Sequence, residues 1–155
     1  MKKKNLLLLG LAIIIYALAQ QGGMNFKSAS AQLDAVTDAY AQVESSRTSL
    51  HNAFVNGQSD VQIQGSGVVK KILPDDREGL QHQKFILQTS VNHTVLVAHN
   101  VGVAKRLPGL KVGDAVDFYG EYEWTRQGGV IHWTHRDTKG RHINGWLKYN
   151  GKTYQ

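Results

Sequence analysis

The chain contains no cysteine and only two prolines among its 155 residues. The lack of thiols excludes a disulfide framework, a cysteine-based zinc site, a thiol nucleophile and a lipidated cysteine. Acidic residues are the minority charge, because 12 Asp and Glu stand against 18 Lys and Arg. Hydrophobic residues make up 41 % of the chain, which is enough for an ordinary core and excludes wholesale disorder. The length fits one domain with an appendage.

Long apolar runs are also scarce, and the one present has the pattern of an export signal. Lys2, Lys3 and Lys4 precede the uncharged residues 6–19. A helix of that length rises about 21 Å, short of the roughly 30 Å hydrocarbon core of a bilayer. Residues 1–19 are therefore predicted to be a signal peptide cleaved after Ala19, with an uncleaved inner-membrane anchor as the alternative. We expect an exported, periplasmic protein.

Residues 20–30 are predicted to be a linker and residues 31–57 an amphipathic helix. Apolar side chains recur at three- and four-residue steps through this segment, at Leu33, Val36, Tyr40, Val43, Leu50 and Phe54. The Asn56-Gly57 pair supplies a left-handed stop. We expect the apolar stripe to pack on the following domain. The alternative is a docking device that binds a second copy of the chain or an envelope protein.

From Asp60 onward the hydrophobic period becomes two, which indicates β-strands. Turn residues divide this part of the chain into five segments, at 61–73, 85–87, 94–98, 115–124 and 130–135. A long, bent first strand and a connector between the third and fourth are typical of the OB-fold. Residues 58–155 are therefore predicted to form a five-stranded OB-like Greek-key barrel, and an incomplete β-sandwich is the competing architecture.

The last quarter of the chain combines aromatic and basic residues. Eight of the 13 aromatics lie between Phe118 and Tyr154, and after Trp124 six basic residues stand against Asp137 alone. Rings stack on bases or sugars while cations follow phosphates, so this mixture predicts a face for single-stranded nucleic acid or an envelope glycan. The alternative is a structural role for the rings and a solvated face for the charges. The predicted face comprises Trp124, His132, Trp133, His135, Arg136, Asp137, Arg141, His142 and Trp146.

Three imidazoles within this face indicate a transition-metal site as an alternative interpretation. His132, His135 and His142 lie within eleven residues, and neutral imidazole nitrogen binds zinc, copper or nickel. In a regular strand His132 and His135 point to opposite faces. They can share an ion only if the strand ends or bulges near Thr134. A metal such as zinc is therefore an alternative cofactor here, and the leading interpretation needs none.

A catalytic alternative uses the same segment. A metal-assisted phosphodiester hydrolase would use His132, His135, Asp137 and His142, with His132 or His135 as general base and Asp137 to orient it. The anion clamp and the acid would come from Arg136 or Arg141 and from Glu121 or Glu123. No serine or cysteine nucleophile is paired with a base in the sequence, so a non-enzymatic binding module is the favoured interpretation.

Several segments carry a resemblance to a known family. They are Asp60 to Gly67, 96–100, 120–124, 129–137, 140–142, 145–146 and 151–154, and the most specific is His132-Trp133-Thr134-His135. Over roughly residues 60–155 the chain resembles a family of short bacterial proteins known as domain of unknown function 3465. The resemblance implies an OB-like barrel behind an export signal, with no established activity and no catalytic residue to transfer.

Overall fold

The computed structural model describes residues 26–76 and 79–155. The predicted signal peptide and the first part of the predicted linker lie outside these residues. The described chain has one helix, α1 (Phe26–Val55), followed by seven strands. The strands are β1 (Val61–Leu73), β2 (His82–Ser90), β3 (His93–Asn100), β4 (Ala115–Glu123), β5 (Val130–His132), β6 (Trp146–Tyr149) and β7 (Lys152–Tyr154). Two compact units divide between Gln42 and Val43, so α1 contributes residues to both.

Helix α1 begins at Phe26, earlier than the predicted start at residue 31, because residues 26–30 contain no glycine or proline to stop it. It ends as predicted. Gly57 has φ 63°, and the N–H groups of Gly57 and Gln58 donate to the carbonyls of Phe54 and Ala53. This pair of bonds is a Schellman motif, which satisfies carbonyls that the helix leaves unpaired. Among the described residues, no helix is long and apolar enough to cross a membrane.

In the second unit, strands β1 to β5 close into a barrel. β1 pairs antiparallel with β2 and β2 with β3, and β3 pairs in parallel with β5. β5 then pairs antiparallel with β4, and β4 returns to β1. β1 serves both neighbours because residues 61–68 face β4 while residues 68–73 face β2. This pairing order confirms the predicted OB-like Greek-key barrel.

Alternation along the strands separates the core from the outer face. On β4, Val116, Phe118 and Tyr122 point into the barrel and are at most 1 % exposed. The intervening residues point away from the core and are partly or fully accessible, at Asp117, Tyr119, Glu121 and Glu123. The C-terminal part of α1 joins the same core through Leu50 and Ala53, so this part of the apolar stripe packs on its own domain.

The C-terminal segment differs from the sequence prediction in two ways. β5 ends at His132 rather than at residue 135, because Trp133 adopts a left-handed backbone with φ 49°. Two further strands, β6 and β7, extend the sheet beyond β4. They form a hairpin across Asn150 and Gly151, both of which have positive φ, the conformation that a tight Asn-Gly turn requires.

Candidate functional site

Polar side chains meet on the outer face where β1, β4 and β5 run side by side. Glu121 is the direct cross-strand partner of Gln62 on β1 and of His132 on β5. Glu123 lies two residues further along β4 and points to the same face. Directly opposed side chains in an antiparallel pair lie about 4.5–5.5 Å apart at Cβ, so this register places the four residues in one patch.

The imidazole of His132 faces both carboxylates. Its Nε2 atom lies 3.5 Å from Oε1 of Glu121 and 3.9 Å from Oε1 of Glu123. Nε2 is buried, and it has no hydrogen-bond partner within the described chain. Burial lowers the pKa of His132 below its usual value of 6.5, although the two carboxylates act in the opposite direction. The ring is therefore neutral at pH 7.

Two glycines let the end of β5 approach β4 closely. A Cβ atom on Gly120 would lie 2.5 Å from the carbonyl oxygen of His132 and 2.9 Å from the side chain of Thr134. A Cβ atom on Gly145 would clash with the carbonyl oxygen of Trp133, while the Gly145 N–H donates to the carbonyl of His135 at 2.9 Å. The absence of a side chain at both positions thus allows residues 132–135 to lie close to β4.

The ring of Trp133 lies among the three predicted imidazoles. Its centroid is 4.1 Å from that of His142 and 5.7 Å from those of His132 and His135. The rings of His135 and His142 meet edge to face at 5.0 Å. We name Trp133, His135 and His142 the Trp133 cluster. A non-glycine residue at positive φ is uncommon and costs about 1–3 kcal/mol, so the surrounding contacts hold Trp133 in place.

In the Trp133 cluster, Nδ1 of each imidazole is committed to a backbone carbonyl. Nδ1 of His135 donates to the carbonyl of Arg136, and Nδ1 of His142 donates to that of Ile143, both at 2.8 Å. A carbonyl oxygen only accepts, so Nδ1 of each ring carries a hydrogen. Nε2 of His142 is buried without a hydrogen-bond partner among the described residues and lies 4.0 Å from a carboxylate oxygen of Asp137.

Asp137 organises the loop that follows the cluster. Its carboxylate accepts backbone N–H groups from Lys139 and His142, each at 2.8 Å, and from Arg141. These hydrogen bonds lower the pKa of Asp137 to about 2 against the opposing effect of desolvation. The carboxylate is therefore engaged by its own loop and is not placed to orient His132 or His135, as the hydrolase interpretation requires. Arg136 and Arg141 of that interpretation are exposed on the same loop.

The other two predicted tryptophans have different surroundings. Trp124 lies at the end of α1, where its Nε1 donates to the carbonyl of Phe54 at 3.0 Å. Trp146 pairs with Tyr119 across β6 and β4, with ring centroids 6.1 Å apart, on the outer face that carries Glu121. Trp146 thus extends the patch, while Trp124 holds the helix end to the hairpin that joins β4 and β5.

The structure does not bring His132, His135 and His142 together as one ligand set. Among the described residues, Glu121, Glu123 and His132 form a set of three whose ligand atoms all lie within 4.8 Å of one another. The left-handed turn at Trp133 carries His135 off the strand, and backbone carbonyls hold Nδ1 of both other rings. The register of the β4–β5 hairpin pairs Glu121 with His132. The Gly128-Gly129 turn of that hairpin is the feature of the sequence from which this pairing could be predicted.

These features define the class of protein: a closed OB-like barrel with a helix at its N-terminal side and a polar and aromatic patch on its outer face. Residues 34–155 match the family described as protein of unknown function (DUF3465), and the chain belongs to this family. No curated protein matches the chain. OB barrels carry many unrelated functions, so the function depends on the side chains of the site and not on the fold alone.

Proposed function

We propose that the protein is an exported, non-enzymatic binding module that holds an anionic polymer. The observation that carries the proposal is the position of Trp133, which leaves β5 by a left-handed backbone and stacks on His142. The loop that follows it exposes three cations, Arg136, Lys139 and Arg141. A fixed aromatic ring beside several cations suits a ligand with planar or ring-shaped units on a charged backbone.

The anchoring of the loop supports this role. Asp137 fixes residues 137–142 through three backbone hydrogen bonds, which limits the backbone conformations open to Lys139 and Arg141. A preorganised loop loses less conformational entropy when a ligand binds, so more of the contact energy appears as affinity. The proposed binding face thus consists of the loop of residues 137–142, held by hydrogen bonds, and the ring of Trp133, held by its neighbours.

Single-stranded nucleic acid is the first ligand class to test, because bases stack on aromatic rings and phosphates bind arginine. The probe is a fluorescein-labelled single-stranded oligothymidylate, followed by fluorescence anisotropy over a range of salt concentrations. We expect Trp133→Ala and Arg141→Ala each to weaken binding at least tenfold. For Arg141→Ala, the slope of log affinity against log salt should fall by about 0.7, one phosphate contact.

Arg106→Ala is the matched control, because Arg106 is an exposed arginine on the connector between β3 and β4 and pairs with Asp75. It should bind the oligonucleotide as the unchanged protein does. Isolated peptidoglycan in a pelleting assay is the second probe, and retention there alone would assign the face to a glycan. If Arg141→Ala binds both probes as the unchanged protein does, the loop has a structural role only. If Trp133→Ala and Arg141→Ala both unfold, the ring and the loop have a structural role.

A further inference from the structure

The outer-face patch, formed by Gln62, Glu121, Glu123 and His132, contains a group of side chains that the proposed polymer binding does not use. Glu121 lies in register between Gln62 and His132, and Glu123 follows on the same face. Two of these residues carry a buried polar atom that has no hydrogen-bond partner in the described chain, Nε2 of Gln62 and Nε2 of His132. Buried polar atoms are nearly always paired, so the unpaired imidazole nitrogen of His132 beside two carboxylates indicates that a ligand belongs there. The amide nitrogen of Gln62 only donates hydrogen bonds, so it is not a ligand for a cation.

The distances fit a small cation. Zinc binds imidazole nitrogen and carboxylate oxygen at about 2.0–2.2 Å, which places tetrahedral ligand atoms roughly 3.3–3.6 Å apart. Nε2 of His132 lies 3.5 Å from one carboxylate and 3.9 Å from the other. Small rotations of the two glutamate side chains would bring all three atoms onto one ion.

An ion pair between a protonated His132 and one of the two glutamates explains the observed distances less well than a bound cation does. A protonated imidazole would donate to one carboxylate at about 2.7–2.9 Å, whereas both separations here exceed that range. The patch therefore presents one nitrogen and two oxygen ligands without a hydrogen bond among them. Two carboxylates also supply the charge that a divalent ion needs.

We propose that Glu121, Glu123 and His132 bind one divalent transition-metal ion, zinc by the chemistry of this donor set, on the outer face of the barrel. A mixed imidazole and carboxylate set suits zinc better than magnesium, which prefers oxygen ligands alone. Three protein ligands leave a coordination position open. The ring of Trp133 lies beside this set, with its centroid 5.7 Å from that of His132.

The test is isothermal titration of the untagged full chain with zinc chloride after removal of bound metal by chelator. We expect one saturable site per chain. His132→Ala and Glu121→Gln should each weaken zinc binding at least tenfold, an effect of the size seen when metal ligation is disturbed. Because no polymer is present, the result does not depend on the function proposed above.

Asp117→Asn is the matched control, because Asp117 is an exposed carboxylate on the same face of the same strand. It should bind zinc normally. Glu121→Gln keeps the size of the side chain, so it tests ligation even if His132→Ala loosens β5, and circular dichroism without zinc checks that each variant folds. Absence of saturable binding would overturn the proposal. So would binding that survives Glu121→Gln in a folded protein, or binding that depends on His142 and not on His132.

Discussion

Gly120 shows how one missing side chain positions the outer-face patch. A Cβ atom there would meet the carbonyl of His132 and the side chain of Thr134, so β5 would have to move away from β4. We expect Gly120→Ala to lower the free energy of unfolding by about 1–3 kcal/mol, the usual cost of overpacking. Urea denaturation measures it.

Gly102→Ala is the control for Gly120→Ala, because its nearest neighbour would be a single side-chain oxygen of Asn100 at 3.2 Å. It should change the free energy of unfolding much less than Gly120→Ala does. Equal effects of the two substitutions would mean that the close approach of β5 to β4 does not set the cost.

His99 gives the barrel a dependence on pH. The ring is fully buried, its Nε2 donates to the carbonyl of Lys105, and its Nδ1 accepts from the hydroxyl of Thr134. Desolvation lowers the pKa of His99 to about 4, from 6.5 in the unfolded chain. Between these two values the unfolded chain binds a proton that the folded chain does not.

The stability from neutral His99 is therefore fully present above pH 6.5 and is lost as the pH falls toward 4, by about 3 kcal/mol in total. Thermal unfolding at a series of pH values measures this loss. His99→Gln should flatten the profile in that window, and His51→Gln, at an exposed position on α1, should leave it unchanged. A profile that keeps its slope in His99→Gln would assign the pH dependence to other groups.

At the scale of elements, the C-terminal half of α1 is part of the barrel core. Leu50 is 2 % exposed and belongs to the main apolar cluster, whereas Tyr40 on the same helix is 59 % exposed. We expect Leu50→Ala to cost about 2–5 kcal/mol in the free energy of unfolding and Tyr40→Ala less than about 0.5 kcal/mol. Denaturant titration of both variants measures the difference. Similar small costs would mean that α1 is dispensable to the core.

Strands with regular alternation could be predicted from the sequence, and irregular ones could not. Residues 115–123 alternate between inner and outer positions over their whole length, so β4 was identified almost to its ends. The sequence predicts too long a β5, because nothing in it marks Trp133 for a left-handed backbone. β6 and β7 were missed, although the Asn150-Gly151 pair is a strong hairpin signal.

Only the histidine of the candidate site could be predicted from the sequence. The spacing of the histidines indicates His132, but its neighbours Glu121 and Glu123 lie on another strand. A partner across a sheet depends on register, which the turn at Gly128 and Gly129 sets, and not on distance along the chain. Spacing arguments therefore grouped the imidazoles with one another rather than with the carboxylates.

At the scale of the whole molecule, the export prediction concerns residues that the structure does not describe. Cleavage after Ala19 removes Lys2, Lys3 and Lys4, which leaves 15 of 18 basic residues against 12 acidic ones, a net charge of +3. We expect the periplasmic fraction to contain a chain that begins at Gln20, as measured by intact mass. A chain of full mass in the membrane fraction would instead show an uncleaved anchor.

The long first strand has a consequence for the order of folding. Residues 61–67 of β1 pair only with residues 116–122 of β4, and β3 pairs with β5 only through residues 130–131. A sheet of β1, β2 and β3 that formed before β4 and β5 were in place would have two open edges. Open edges invite pairing with other chains, so we expect the chain to be most prone to aggregation before its last strands pair.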